Sequence, residues 1–255
     1  MKGKLIIISA VVASVMAMVA MAACANENDA NNGDVETVAT SETTENKRKE
    51  YVLRIDTLGL KVLYPEFSRV DLVCGTMPSK DDEGVVLVMS AAYTGKCLKE
   101  FKHSNIVGMH VSGGKLYNGG TSMGAFVYYN GKWKFATPKQ NKVEMQLAAE
   151  NNGAGFTQEI LIYNGEIQKT DRKDTNSNIF RALCEHNGKL CVIESQKVIK
   201  FGEFKKSLKD FGVTNAIYTD MGSGWNHAWY RTSSGVVELQ PYKHQYCTNW
   251  ITFYK

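Results

Sequence analysis

The chain has no Cys-x-x-Cys pair and no His-Glu-x-x-His motif in its 255 residues. The usual ligand spacings of a structural or hydrolytic zinc are therefore missing. No cofactor is called for, and a divalent cation held by other oxygen ligands stays compatible with the composition. A basic stripe is lacking too, as is any interleaving of basic and aromatic residues along one helix, so nucleic acid is not an expected partner. Asn-Gly recurs, but at unequal spacings and with flanks that do not repeat, which excludes a solenoid. Long apolar runs are also absent. The one from Leu5 to Val19 is short for a membrane span and ends abruptly.

That first run reads instead as an export signal. Lys2 and Lys4 form a positive start, the apolar stretch follows, and the small residues Ala22 and Ala23 stand directly before Cys24. This arrangement resembles a bacterial lipoprotein box. The resemblance implies cleavage before Cys24, lipidation of its thiol, and membrane contact through the lipid anchor only. Residues 1–23 are then the signal, and 24–49 a lipidated cysteine with a disordered tether. The stretch after Cys24 is rich in Asn, Glu, Thr and Asp and has no aromatic residue. It cannot bury enough surface to order itself. Glu27 and Asp29 resemble the surface-export signals of some Bacteroidetes lipoproteins, which points to the cell envelope and the outer membrane. Residues 50–255 suit one domain. Loss of Lys2 and Lys4 from the 30 basic residues leaves 28 against 26 acidic ones, a net +2. Beyond Cys24 there are five cysteines: Cys74, Cys97, Cys184, Cys191 and Cys247. An odd count in an exported protein leaves at least one thiol unpaired.

What is present is mostly strand. "FVYYNGKWKF", "LIYNGEIQ" and "ALCEHNGKLCVI" each set Asn-Gly between apolar, β-branched or aromatic runs. Asn-Gly tolerates the two positive φ angles of a type I′ turn, so each is a hairpin signal. With Asn187-Gly188 as a two-residue loop, His186 faces Lys189, Glu185 faces Leu190 and Cys184 faces Cys191. The cysteines are close enough to bridge, although a hydrogen-bonded pair suits two free thiols on the core face better. His186, beside the turn, is expected in solvent, like the loop run Asp81, Asp82 and Glu83. "FGEFKKSLKDFGV" predicts a helix, with Phe204, Leu208 and Phe211 on one face and Gly212 as its αL stop. It lies between the apolar strands "KLCVIES" and "TNAIYTD", which predicts a right-handed βαβ crossover with parallel strands. "VLRID", "LKVLY", "VVLVMSAAYTG", "IVGMHV", "KLYNGG" and "NWITFYK" read as further strands, and "GKCLKEFKH" as a possible second helix. The expected class is α+β: a strand-rich mixed sheet with several Asn-Gly hairpins and one βαβ unit.

This topology puts Asp220 just beyond the carboxyl end of a strand, where open α/β sheets bind ligands. Asp220 could be a general acid with a pKa raised by burial beside Trp225, an ionised acceptor of sugar hydroxyls, or a cap on the glycine turn. Gly222 and Gly224 would let backbone N–H groups approach a ligand. If the chain then re-enters a sheet, alternation puts Trp225, His227 and Trp229 on one side and Asn226 and Tyr230 on the other. Such rings and donors suit a carbohydrate, with His227 as a candidate acid–base; the same pattern fits plain core packing. Arg181 follows the polar loop "DRKDTNSN" and could hold a phosphate in bidentate fashion, or form a surface ion pair. His110 lies at a strand end before two glycines. Gln158 and Glu159 enter a strand after a glycine pair, and one of them should point inward.

"IVGMHVSGGKLYNG", "NIFRALCEHNGKLCVIES" and "LKDFGVTNAIYTDMGSGW" together resemble the phosphodiester glycosidase family, over most of 85–231. The family's Asp-Gly-Gly landmark reads Asp220-Met221-Gly222 here, and its arginine before the hydrophobic strand corresponds to Arg181. Its Asn-Ala-Gly stretch corresponds to Ser90-Ala91-Ala92-Tyr93, without the Asn. The resemblance implies a hydrolase of sugar-1-phosphate diesters or related glycosidic bonds. Catalysis would fall to Asp220, Arg181 and His227. Substrate would be bound by His110, Gly222, Gly224, Trp225, Asn226, Gln158 and Glu159. The departures fall where ligand should bind, and they suit an alternative on the same fold: a glycan-binding surface lipoprotein without catalysis. Either way the expected partner is a carbohydrate or sugar phosphate.

Overall fold

The three Asn-Gly dipeptides read as hairpin turns all close hairpins. In the computed structural model, Asn130-Gly131, Asn164-Gly165 and Asn187-Gly188 each take two successive positive φ angles, the type I′ geometry that matches strand twist. The structure describes residues 49–94, 106–120, 122–222, 224, 226–241 and 246–255. The expected signal, Cys24, most of the tether and the possible helix at 95–103 lie outside the described residues.

Strand makes up 48% and helix 11%, so the body is mostly β and only loosely α+β. The first sheet orders β1 (Val52–Thr57), β2 (Leu60–Pro65), β14 (Lys189–Ser195), β13 (Arg181–His186), β16 (Asn215–Tyr218), β10 (Ile160–Tyr163) and β11 (Glu166–Ile167). The second orders β18 (Gly235–Leu239), β17 (Ala228–Thr232), β4 (Val85–Ser90), β19 (Asn249–Tyr254) and β3 (Arg69–Cys74). The third orders β6 (Lys115–Tyr117), β5 (His110–Ser112), β9 (Ala154–Gln158), β7 (Gly124–Tyr129) and β8 (Lys132–Ala136). Short strands β12 (Ser177–Asn178) and β15 (Ile199–Lys200) pair with each other. Helix α1 spans Asn141–Glu150 and α2 Phe201–Asp210.

The mixed sheet needs correction: every strand pairing among the described residues is antiparallel. The crossover β14–α2–β16 is present, but its two strands are not neighbours. Both pair antiparallel with β13, which lies between them, so they run in the same direction without touching. The Asn187-Gly188 hairpin has already placed β13 on the side of β14 that β16 would otherwise take.

Of four apolar clusters among the described residues, three join separate sheets and helices. On the outer face of the first sheet, α2 buries Phe201, Phe204 and Leu208 against Ala182, Cys184, Cys191 and Tyr218. The inner face, with Leu63, Leu183, Val192 and Ile217, packs on Leu72, Ile251 and Phe253 of the second sheet and Phe126 and Phe156 of the third. Met145 and Ala148 of α1 cover Val111, Ala125 and Val127 on the third sheet. Strands β3 and β18 and helix α1 were not expected from the sequence. The apolar stripe of α1 is narrow, since Val143 is 62% exposed while Met145 and Ala148 are buried.

Cys184 does face Cys191, with the flanking pairs in the expected register. Both thiols are free and buried. His186 differs from expectation: it is half-buried, bonded to the Tyr64 hydroxyl at 2.6 Å and stacked 4.4 Å from Phe211. Burial pushes the Cys184 and Cys191 thiols above their usual range, so little reactive thiolate forms. A thiol reagent at pH 8 should leave both unmodified in native protein and label both after denaturation. Peptide mass mapping reads the outcome; labelling of either under native conditions contradicts this packing.

Candidate functional site

Asp220 is held by its backbone before its side chain is considered. Strand β16 ends at Tyr218. The Thr219 amide and hydroxyl both donate to the Arg181 carbonyl, at 3.2 Å each. The Asp220 amide then donates to the Ala91 carbonyl at 3.0 Å, and its carbonyl accepts the Ser90 hydroxyl at 2.7 Å. Asp220 thus joins the end of a first-sheet strand to the chain leaving β4 of the second sheet. Its Oδ1 accepts the Gly222 amide at 3.1 Å. The residue is only 7% exposed. Burial raises its pKa to about 6, against the Gly222 amide, the Arg172 charge and the Thr94 amide, which favour the ionised form.

The guanidinium whose charge bears on this carboxyl is that of Arg172. It donates to the Tyr93 hydroxyl at 2.8 Å. Its central carbon lies 4.8 Å from the Tyr218 ring centroid and 5.5 Å from that of Phe201, within cation–π range. The loop that carries it is fastened to α2. Lys205, almost wholly buried, reaches the Gln168 carbonyl and Thr170 hydroxyl at 3.3 Å and pairs with Asp174 at 2.8 Å. From the other side the Asn178 side-chain Nδ2 donates to the Met221 carbonyl at 2.8 Å, tying the loop to the Asp220 turn.

Glu159 completes the cluster. Burial raises its pKa, the Arg172 charge opposes this and Asp171 adds to it. Burial likewise pushes the Tyr93 hydroxyl up to about 12, so it stays neutral while it accepts the Arg172 bond. Three enclosed polar atoms here lack a hydrogen-bond partner among the described residues: Arg172 Nε, Glu159 Oε2 and Tyr218 Oη. The Met221 amide influences Tyr218 Oη without reaching hydrogen-bonding geometry. Buried polar groups are normally satisfied, so three together mark a place for water or ligand.

Arg181 does not fit its expected role. It is wholly buried, and its Nε and Nη2 bind Glu194 Oε2, the first at 3.0 Å. Lys61 holds the other Glu194 oxygen at 3.3 Å. Burial works against the Glu194 charge, but Arg181 and Lys61 outweigh it and hold the carboxyl below its usual range. Strand parity explains the misplacement. Arg181 alternates with Ala182, which faces α2, and lies directly across from Glu194 on β14.

The remaining candidates are spread over the body. His110 is buried on β5 and stacks on Tyr117, its cross-strand partner, at 4.8 Å. Gln158 is buried, its Oε1 accepting the Glu159 amide at 2.9 Å. His227 Nε2 lies 2.9 Å from Glu238, which also pairs with Lys80. Gly222 supports the Asp220 carboxylate, as the turn-cap reading expected. Gly224, at φ +101°, leaves room for the Tyr246 ring rather than for a ligand. Asn226 is half-buried just before β17, and Trp225 lies outside the described residues. Arg172, Tyr93 and Tyr218 escaped the sequence reading as site residues. Arg172 stands inside the quoted loop "DRKDTNSN", where a lone arginine reads as solvated.

No protein-family model matches the chain, and no curated protein matches it. Among solved structures, it is similar to the zebrafish N-acetylglucosamine-1-phosphodiester alpha-N-acetylglucosaminidase catalytic domain, auto-inhibited by its pro-peptide. The TM-score is 0.55 and the identity 15%, over 81% of this chain and 82% of that one. It is also similar to a hypothetical protein from Synechocystis, with a TM-score of 0.56 and 10% identity. That match covers 80% of this chain and 61% of the other. At these identities the likeness establishes a shared fold.

The buried Asp220 carboxyl gives stability a definite pH dependence. Its native pKa of about 6 exceeds the ordinary 3.8, so between these values the folded state binds the extra proton. Its contribution is full below about pH 4 and is lost as pH rises through 6, by about 3 kcal/mol for a shift of about two units. Relative to wild type, Asp220→Asn should therefore gain about 3 kcal/mol in urea denaturation at pH 8 compared with pH 4. Parallel pH profiles for the two proteins would show that the carboxyl is not buried as described.

Proposed function

We propose that the protein is an exported, lipid-anchored hydrolase of the phosphodiester glycosidase type, acting on a sugar-1-phosphate diester or a related glycosidic bond. The shared fold with a glycosidase domain supports the reaction class. One observation carries the reading to this chain: a buried carboxyl poised near pH 6 beside a guanidinium with an uncommitted N–H. The lipobox-like sequence at Ala22-Ala23-Cys24 supports export and anchoring in the cell envelope.

The two groups divide the work. Arg172 is oriented by Tyr93 and lies against Tyr218, so its Nε–H is free to bind a phosphoryl oxygen in a charge-assisted bond. Asp220, when protonated, gives its proton to the bridging oxygen as the bond to the anomeric carbon breaks. The phosphate holder is Arg172 in place of Arg181, which is wholly buried with its Nε and Nη2 on Glu194. The binding-only alternative loses one of its aromatic platforms, because Trp229 is wholly buried beside Val88 and Trp250.

Turnover of aryl α-glycosides and sugar-1-phosphate diesters tests the proposal. Asp220→Asn should lower kcat by roughly 10²–10⁴-fold, the usual range for a general acid. Arg172→Met should raise KM for the phosphodiesters more than for neutral aryl glycosides. Wild-type kcat/KM should decline as pH rises above 6. Undiminished turnover by Asp220→Asn would remove the proposed acid.

A further inference from the structure

Glu159 lies where the chain crosses from the third sheet to the first. Strand β9 ends at Gln158 and β10 begins at Ile160, and the register between β10 and β16 shifts just there. The Glu159 carbonyl accepts the Tyr218 amide at 2.9 Å, and its own amide donates to Gln158 Oε1 at 2.9 Å. The backbone is thus held on both sides, beside the strand end that leads into Asp220.

The side chain lines a cleft of about 130 Å³, together with Ser122, Tyr163, Gln168, Thr170 and Asp171. A cleft of this size and polarity has room for several waters, at roughly 30 Å³ each. Glu159 Oε2 is enclosed and takes no hydrogen bond from the described residues. Arg172 acts electrostatically on both Glu159 and Asp220, and the Tyr93 hydroxyl feels both carboxyls. Glu159 is thus paired through its backbone with Tyr218, two residues before Asp220, while its side chain lines the cleft.

We infer that Glu159 is the second catalytic carboxyl of this site, the general base that takes a proton from the attacking water. This rests on the hydrolase reading above. Water in the cleft gives a proton to Glu159 Oε2 as its oxygen bonds to the anomeric carbon. The bond from that carbon to the leaving oxygen breaks, and Asp220 protonates that oxygen. One water is consumed and one glycosyl–oxygen bond is cleaved. Solvent then carries the proton from Glu159 back to Asp220. Burial and the Asp171 charge raise the proton affinity of Glu159, as a base needs, while Arg172, through its charge and its backbone amide, and Lys205 oppose them.

The test compares wild type, Glu159→Gln, Glu159→Ala and Asp220→Asn in kcat, KM and pH profile, with and without added formate. Glu159→Gln should lose at least about 100-fold in kcat with KM within about threefold, and should lose the acid limb of the pH profile. Formate should restore turnover to Glu159→Ala but not to Asp220→Asn, which a merely misfolded variant would not show. Glu159→Gln within about threefold of wild type, or altered only in KM, overturns the inference; loss of activity in Asp220→Asn alone then leaves the hydrolase reading intact. A wild-type protein that turns over none of these substrates overturns both.

Discussion

The seam between the first and second sheets is closed by hydrogen bonds on either side of one aspartate. The Asp220 amide and carbonyl are both spent on Ala91 and Ser90, so the carboxyl has no freedom to leave the interior. Its proton affinity follows from that confinement rather than from a neighbouring negative charge. The rest of the site assembles around this fixed point. The Gly222 turn caps the carboxylate, Asn178 ties the loop to Met221, and Lys205 draws the same loop onto α2. Arg172 arrives beside Asp220 because two independent fastenings bring its loop there.

Local chemistry was legible in the sequence; distant chemistry was not. Asn187-Gly188 carries its own turn geometry, so the register as far as Cys184 and Cys191 could be counted outward from it. Phe204 and Leu208 share a helix face whatever lies beneath. Asp220 was found because a strand followed by Asp and glycine is a local pattern. The partner guanidinium comes from a segment 48 residues away, and two arginines competed for the role. Strand parity, together with the register across to Glu194, decided the outcome, and neither can be read without knowing which face of the sheet is covered. The parallel pairing failed for a similar reason: direction was inferred correctly for β14 and β16, but adjacency depends on which strand arrives first.

The triad of Lys61, Glu194 and Arg181 shows what the interior asks of charge. Arg181 and Glu194 are essentially inaccessible, and removing both from water costs more than an apolar pair would. Its value lies in specificity. A one-residue slip of β13 against β14 would leave a guanidinium and a carboxylate buried without each other, so the pair penalises misregister where an all-apolar interface would tolerate it. That register also sets where β16 ends, and hence where Asp220 begins.

Gly224 gives the site an unexpected dependence on the far end of the chain. With no side chain of its own, it lies against the Tyr246 ring, and its carbonyl accepts the Tyr246 amide at 3.2 Å. Three residues later the chain enters β19, a central member of the second sheet. The turn below the aspartate is thereby latched to one of the most firmly seated strands in the molecule. Truncation or loosening of the last dozen residues would act on the carboxyl as directly as a change in its own loop.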